Sequence, residues 1–338
     1  MNKKLRTIIL GLAVITTSTT FVMCGNGYTS KGNNENQVAN LENSDHKEGF
    51  TYKYDNGKDV VDVKVTESPN RAVTLSQFMT EMLLSLDLGD RMVGTALLDN
   101  PILPEYKDAY DKIPVLKITE GHNISKESFS ALEPDFVSGW DMSISNESTG
   151  TAKELVDEGV YPFVAKSLNG DATIETVYED YTTLGNIFNV QDKANEVVNN
   201  MKSSVNKVQE NIKNVKEEER PKVMVYDSGE KEAMVVGSGL PNNLITLAGG
   251  NNVFGDLNKA YEMVSFESIV DKNPDVIIVT DYLAGDPVEK KIEFLKNHPA
   301  LKDVNAIKNN KIYVVELADI SPGIRNSKVV EKMNKMFY

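Results

Sequence analysis

The chain has 338 residues, a formal net charge of −14 and one cysteine. That length is enough for two domains. A single cysteine excludes a disulfide scaffold, a Cys-ligated zinc site and an iron–sulfur cluster. The acid excess repels nucleic acid, so nucleic acid is not an expected partner.

Lys3, Lys4 and Arg6 precede an uncharged stretch from Ile8 to Met23, interrupted by Thr16–Thr20. Residues 1–23 therefore read as a signal peptide and not as a membrane span. Cys24 follows at once and is the expected lipidation site, which places the protein outside the cytoplasm on the cell membrane. An ordinary secretory signal with an incidental thiol is the alternative, because Phe21-Val22-Met23 lacks the small residue usual before a lipidated cysteine. Residues 24–49 are rich in Gly, Asn, Ser and charge, and read as a flexible tether. Removing residues 1–23 takes away three positive charges and no negative one, leaving −14 − 3 = −17.

Phe50–Val65 alternates apolar and polar residues around Asp55-Asn56-Gly57, which predicts a hairpin. From Arg71 short apolar runs alternate with helical patterns. Ala72–Leu75, Arg91–Ala96, Asp135–Ser138 and Tyr161–Ala165 read as strands, and Phe78–Leu88 and Thr151–Glu158 as helices. This is an α/β layer pattern, and it defines an N-terminal lobe over 50–190. Next come Val197, Met201, Val205, Val208, Ile212 and Val215, at steps of 4, 4, 3, 4 and 3. That spacing draws one stripe on a long helix, predicted over 191–218 and ended by Pro221. The pattern resumes in a C-terminal lobe over 219–338. Lys222–Asp227, Asp275–Thr280 and Lys311–Glu316 read as strands, and Leu240–Ala248 and Arg325–Phe337 as helices.

The two lobes share a repeat. Ile124-Ser125-Lys126-Glu127-Ser128 leads to Pro134-Asp135-Phe136-Val137. Val264-Ser265-Phe266-Glu267-Ser268 leads to Pro274-Asp275-Val276-Ile277. Matched positions differ by 267 − 127 = 140. In each copy the first serine suits a helix N-cap and the glutamate suits the first turn, where the helix dipole favours a carboxylate. Dipole preference explains the residue type, but not its recurrence at matched places.

With Asn70–Leu75, Glu81–Leu86, Gly89-Asp90, Leu247–Phe254 and Pro322–Asn326, these paired motifs resemble the substrate-binding proteins of ABC importers for iron complexes and cobalamin. The resemblance runs from about Asn70 to the C-terminus. It implies two Rossmann-like lobes bridged by one long α-helix, with the ligand in the cleft between them. It also implies that Glu127 and Glu267 dock on arginines of the permease dimer, which works with its ATPase. A monomer without a cofactor is expected. The bound species would be a small metal chelate, a ferric siderophore or similar iron complex, with a corrinoid as the alternative. A non-transport surface binding protein ranks lower.

An enzyme is disfavoured, since no Gly-x-Ser-x-Gly elbow, Walker loop or His-Glu-x-x-His occurs. Val236-Gly237-Ser238-Gly239 is a lone Gly-x-Gly and reads as a turn. Three histidines, His46, His122 and His298, are too few and too scattered for a bare-metal site. Ligands of α/β sheets sit beyond the strand carboxyl ends, where the loops carry Phe78, Trp140, Lys166, Ser238, Tyr261, Tyr282 and Arg325. The aromatic residues suit ordinary packing equally well. Arg325, helped by Lys166, is the expected positive contact for an anionic chelate, unless it pairs with a nearby acid.

Overall fold

The computed structural model describes residues 49–119 and 122–338, all within the unit His46–Tyr338. The expected signal segment, Cys24, His46 and the tether up to residue 48 lie outside the described residues.

Strands β1 (Phe50–Asp55) and β2 (Val60–Val65) pair antiparallel, with Asp55 opposite Val60. The turn forms because Asn56 Oδ1 accepts from the amides of Lys58 at 3.0 Å and Asp59 at 2.8 Å, while Gly57 takes φ 79°. Alternation then buries Tyr52, Tyr54, Val63 and Val65 on one face.

The first lobe is built on a parallel sheet of β3 (Ala72–Leu75), β4 (Met92–Thr95), β5 (Phe136–Gly139) and β6 (Tyr161–Val164), in the order β4-β3-β5-β6. β3 and β5 are buried at every position, as expected for strands covered on both faces. The second sheet contains β7 (Lys222–Ser228), β8 (Ala233–Val236), β9 (Asn251–Asn252), β10 (Tyr261–Val264), β11 (Val276–Asp281) and β12 (Ile312–Glu316). Its order is β10-β8-β7-β11-β12, with β9 beside β7. β7, β11 and β12 are parallel, whereas β8 runs antiparallel to both its neighbours, β7 and β10. Side chains alternate across this sheet. Val223, Val225, Val276 and Ile278 join the main core, while Met224, Tyr226, Ile277 and Val279 form a second core on the opposite face.

Between the sheets runs the helix Gln191–Ile212, whose 22 residues span about 33 Å at about 1.5 Å each. Val197, Met201, Val205, Val208 and Ile212 are buried along one side. They pack on the Ile174–Phe188 helix of the first lobe and on the Leu240–Leu247 and Arg325–Phe337 helices of the second. The helix stops at Ile212, short of the expected Glu218. Val215, the last apolar residue of the stripe, is only half-buried, and the charged run after it has no apolar face to hold a helix. Lys216 is extended and Glu217–Glu219 form a single 3₁₀ turn.

The repeat has a structural basis in both lobes. Ser125 Oγ accepts from the amide of Ser128, and Ser265 Oγ from that of Ser268, each at 3.1 Å. Before each proline the chain turns through a left-handed residue, Glu133 with φ 45° and Asn273 with φ 47°. The aspartates then fasten the start of the neighbouring strand. Asp135 accepts from the amides of Asn70 at 2.7 Å and Arg71 at 2.8 Å, and Asp275 from that of Lys222 at 3.0 Å.

Candidate ligand-binding cleft

A cavity of about 480 Å³ opens between the lobes. Its first-lobe wall is Trp140 and Asp141, which follow β5, and Val164, Ala165, Ser167, Leu168 and Asn169 at the end of β6. The second lobe supplies Asp227, Leu240, Pro241, Ala260, Tyr261 and Tyr282, and Leu317, Ile320, Ser321 and Pro322 form a further stretch beyond β12. Asp55 and Asn56 come from the hairpin turn. Most of this wall is loop beyond strand carboxyl ends, where α/β sheets place ligands.

Local structure fixes these side chains. Phe78, 3% exposed, meets the Trp140 ring edge-on at 5.0 Å between centroids and props it from below. The Ser167–Asn169 turn is tied down by Asp180, which accepts from Ser167 Oγ at 2.5 Å and from the amides of Ser167 at 3.0 Å and Lys166 at 2.9 Å. Burial pushes the Asp180 carboxyl up to about 6, and the three hydrogen bonds only partly offset that. Asp227 accepts from Thr280 Oγ1 at 2.7 Å, Ser228 Oγ at 3.0 Å and Tyr282 Oη at 3.3 Å. The Lys291 ammonium lies 4.2 Å from the centre of the Tyr282 ring and donates to the Thr280 carbonyl at 2.8 Å. Burial, followed by the charge of Asp227, raises the phenols of both Tyr261 and Tyr282. At neutral pH they are protonated, so they offer hydrogen-bond donors and aromatic faces, not phenolate ligands.

Three of the seven expected ligand residues line the cavity: Trp140, Tyr261 and Tyr282. The other four do not. Phe78 sits behind Trp140. Lys166 gives its backbone amide to Asp180 and extends its ammonium into solvent, 3.8 Å from Glu179. Ser238 donates its amide to the Lys259 carbonyl, and its buried hydroxyl has no partner among the described residues. Arg325 is 4% exposed and its guanidinium is spent on protein acceptors. It meets Glu81 at 2.6 and 2.7 Å, Glu316 at 2.5 Å and the Pro101 carbonyl at 2.7 Å. The pairing alternative for Arg325 is therefore the one the geometry takes.

Sequence reasoning missed Asp55, Asn56, Asp141, Asn169 and Asp227. The strand-end rule that found Trp140 applies equally to its neighbour Asp141, and to Asp227 near the end of β7. Asp55 and Asn56 gave no such signal, because turn formation already accounts for both residue types. Glu127 and Glu267 are exposed in the first turns of the Lys126–Ser130 and Phe266–Lys272 helices. His298 packs against Phe266 at 4.1 Å and Phe294 at 5.5 Å, and His122 is exposed.

Residues 73–316 match the model of a family described as periplasmic binding protein. This chain belongs to the periplasmic binding protein family. A solved periplasmic binding protein from Veillonella parvula is 32% identical, with a TM-score of 0.79 over 85% of this chain and 97% of that one. An uncharacterized ABC transporter substrate-binding lipoprotein of Bacillus subtilis, YvrC, is 26% identical over 75% of each chain. The high-affinity heme uptake system protein IsdE of Staphylococcus aureus is 25% identical over 79% of this chain and 87% of its own. Family membership makes the chain a binding protein and not an enzyme, and the cleft between the lobes is its candidate ligand site.

Proposed function

We propose that this protein is the extracytoplasmic ligand-binding component of an ABC importer and captures a ferric chelate of the siderophore class. The observation that carries the reading is the cavity of about 480 Å³, with aromatic residues facing it from both lobes. It falls within the roughly 300–1,000 Å³ of small-molecule sites. Its walls offer hydrogen-bonding groups and aromatic faces, which suits iron that arrives within its own chelator. The substrate-binding role in the name of the Bacillus relative and the uptake role in that of the Staphylococcus relative support the same reading.

Delivery would use Glu127 and Glu267, one exposed carboxylate on each lobe. Each sits in the first turn of a short helix that feeds a strand paired in parallel with its neighbours. Its N-terminus therefore lies toward the strand carboxyl ends, on the side of the cleft. A two-fold permease could engage both.

Trp140 is the only tryptophan, so intrinsic fluorescence reports directly on the cleft. Titration of the purified protein with ferric hydroxamates and catecholates should quench it saturably. No response to any ferric chelate, together with saturable quenching by cobinamide, would replace iron by a corrinoid.

A further inference from the structure

The charge of the cleft specifies its ligand more narrowly than the family does. We infer that the site selects net-neutral or cationic ferric chelates, those carrying a free ammonium group in particular, and rejects anionic ones. This rests on the reading of the inter-lobe cavity as an iron-chelate site.

Three carboxylates line the cavity, Asp55 from the hairpin turn, Asp141 after Trp140 and Asp227 in β7, and none of the lining residues is Lys, Arg or His. Lys53, Lys58 and Lys259, close in sequence to the wall, are exposed and do not line it, and two further basic residues are engaged elsewhere. Arg325 is held by Glu81 and Glu316, with Asp319 at 3.6 Å, so three acids surround one guanidinium. The Lys166 ammonium turns to solvent beside Glu179. Lys291 does place a buried ammonium against the Tyr282 ring, but it is 4% exposed, bound to the Thr280 carbonyl and does not line the cavity. The side-chain hydrogen-bond partners of Asp227 are neutral hydroxyls, and among the described residues it has no salt bridge, although the Lys291 ammonium lies near enough to interact with its charge.

The carboxylates do not stand alone. They share a formed cavity with Trp140, Tyr261 and Tyr282, whose ring faces attract cations. Behind the hairpin wall, the hydroxyl of Tyr54, a residue 1% exposed, has no hydrogen-bond partner among the described residues. The neutral phenols donate to chelate oxygens, while the carboxylates answer a positive substituent. Asp55 and Asp141 have no buried partner to lose and bond only local amides, those of Gly57 and Met142, at 2.9 Å each. Heme, with two propionates, and tricatecholate complexes, with net negative charge, would meet like charge from three carboxylates, of which Asp55 and Asp141 are exposed and therefore open to screening by salt.

The test uses the Trp140 signal and three probes of similar size: ferrioxamine B, which is cationic, ferrichrome, which is neutral, and ferric enterobactin, which is anionic. The expected order of affinity is cationic, then neutral, then anionic, with at least roughly tenfold between the extremes. Asp55→Asn with Asp141→Asn, which keeps the local amide bonds, should narrow the cationic-to-anionic ratio by roughly tenfold. Raising the salt should weaken the cationic probe most. Preferential binding of the anionic probe, or a ratio that the double variant leaves in place, overturns the charge selection while leaving the iron-chelate site standing. Silence with all three probes overturns the iron-chelate reading itself, and the charge selection with it.

Discussion

Arg325 and Glu81 form a two-point ion pair across the lobes, with Nε–Oε2 at 2.7 Å and Nη2–Oε1 at 2.6 Å. Glu81, in the Gln77–Ser85 helix of the first lobe, is 2% exposed and Arg325 is 4% exposed. Asn100 adds a second cross-lobe tie, donating to the Asp281 carbonyl at 2.9 Å and accepting from the Ala318 amide at 3.0 Å.

Removing one partner of a buried pair leaves the other charged and unsatisfied. Arg325→Met should destabilise the fold by about 3–5 kcal/mol in urea unfolding. Arg325→Met with Glu81→Leu should recover a large part of that loss. The same lock, with a bridging helix free of Pro and Gly, predicts small lobe movement on binding. A large drop in radius of gyration with ligand, seen in solution scattering, would contradict this.

Asp180 sets a pH dependence. Its carboxyl is raised by burial from 3.8 to about 6, so the folded state holds the proton more tightly than the unfolded chain. The stability it contributes is complete below about pH 3.8 and is lost as pH rises through about 6. Wild type minus Asp180→Asn should therefore decline across that window by up to about 3 kcal/mol, at 1.36 kcal/mol per pKa unit. A flat difference between pH 4 and 7 would show that the two states share one pKa.

Glu133 holds φ 45° where its counterpart Asn273 holds φ 47°. A left-handed backbone is easier for Asn than for Glu. Glu133→Asn should raise stability by roughly 0.5–1 kcal/mol, because the exposed side chain is not otherwise engaged. Chemical denaturation of the single variant decides it, and an unchanged or lowered midpoint would count against strain at this turn.

Charge reversal at the proposed docking residues should separate delivery from capture. Glu127→Arg and Glu267→Arg should each abolish cellular uptake of the chelate while Trp140 titrations keep their wild-type midpoint. Weakened binding by the purified variants would assign both residues to the ligand site or to folding instead.

The lipid anchor expected at Cys24 would require that Cys24→Ala releases the protein to the medium or leaves it unprocessed. Intact mass of the mature protein checks it directly. A mature N-terminus elsewhere, without diacylglycerol, would return the ordinary secretory alternative.

The sequence by itself determined the features that repeat locally. The 3–4 spacing of Val197 to Ile212 could bury only one face of a helix. The Pro-Asp repeat could only end one element and fasten the next, and strand runs such as Val276–Val279 are apolar at consecutive positions because both faces are covered. Only the tertiary structure decided the chemistry of the cleft. Arg325 pairs locally with Glu316 and Asp319, which the nearby-acid alternative covered, but its two-point partner Glu81 lies 244 positions away. Asp55 looked like a turn residue, and nothing in its neighbourhood tells that the turn reaches the cavity of the other elements. A side chain's charge is local, but whether that charge is neutralised or left facing a ligand depends on which distant residue the packed fold sets against it.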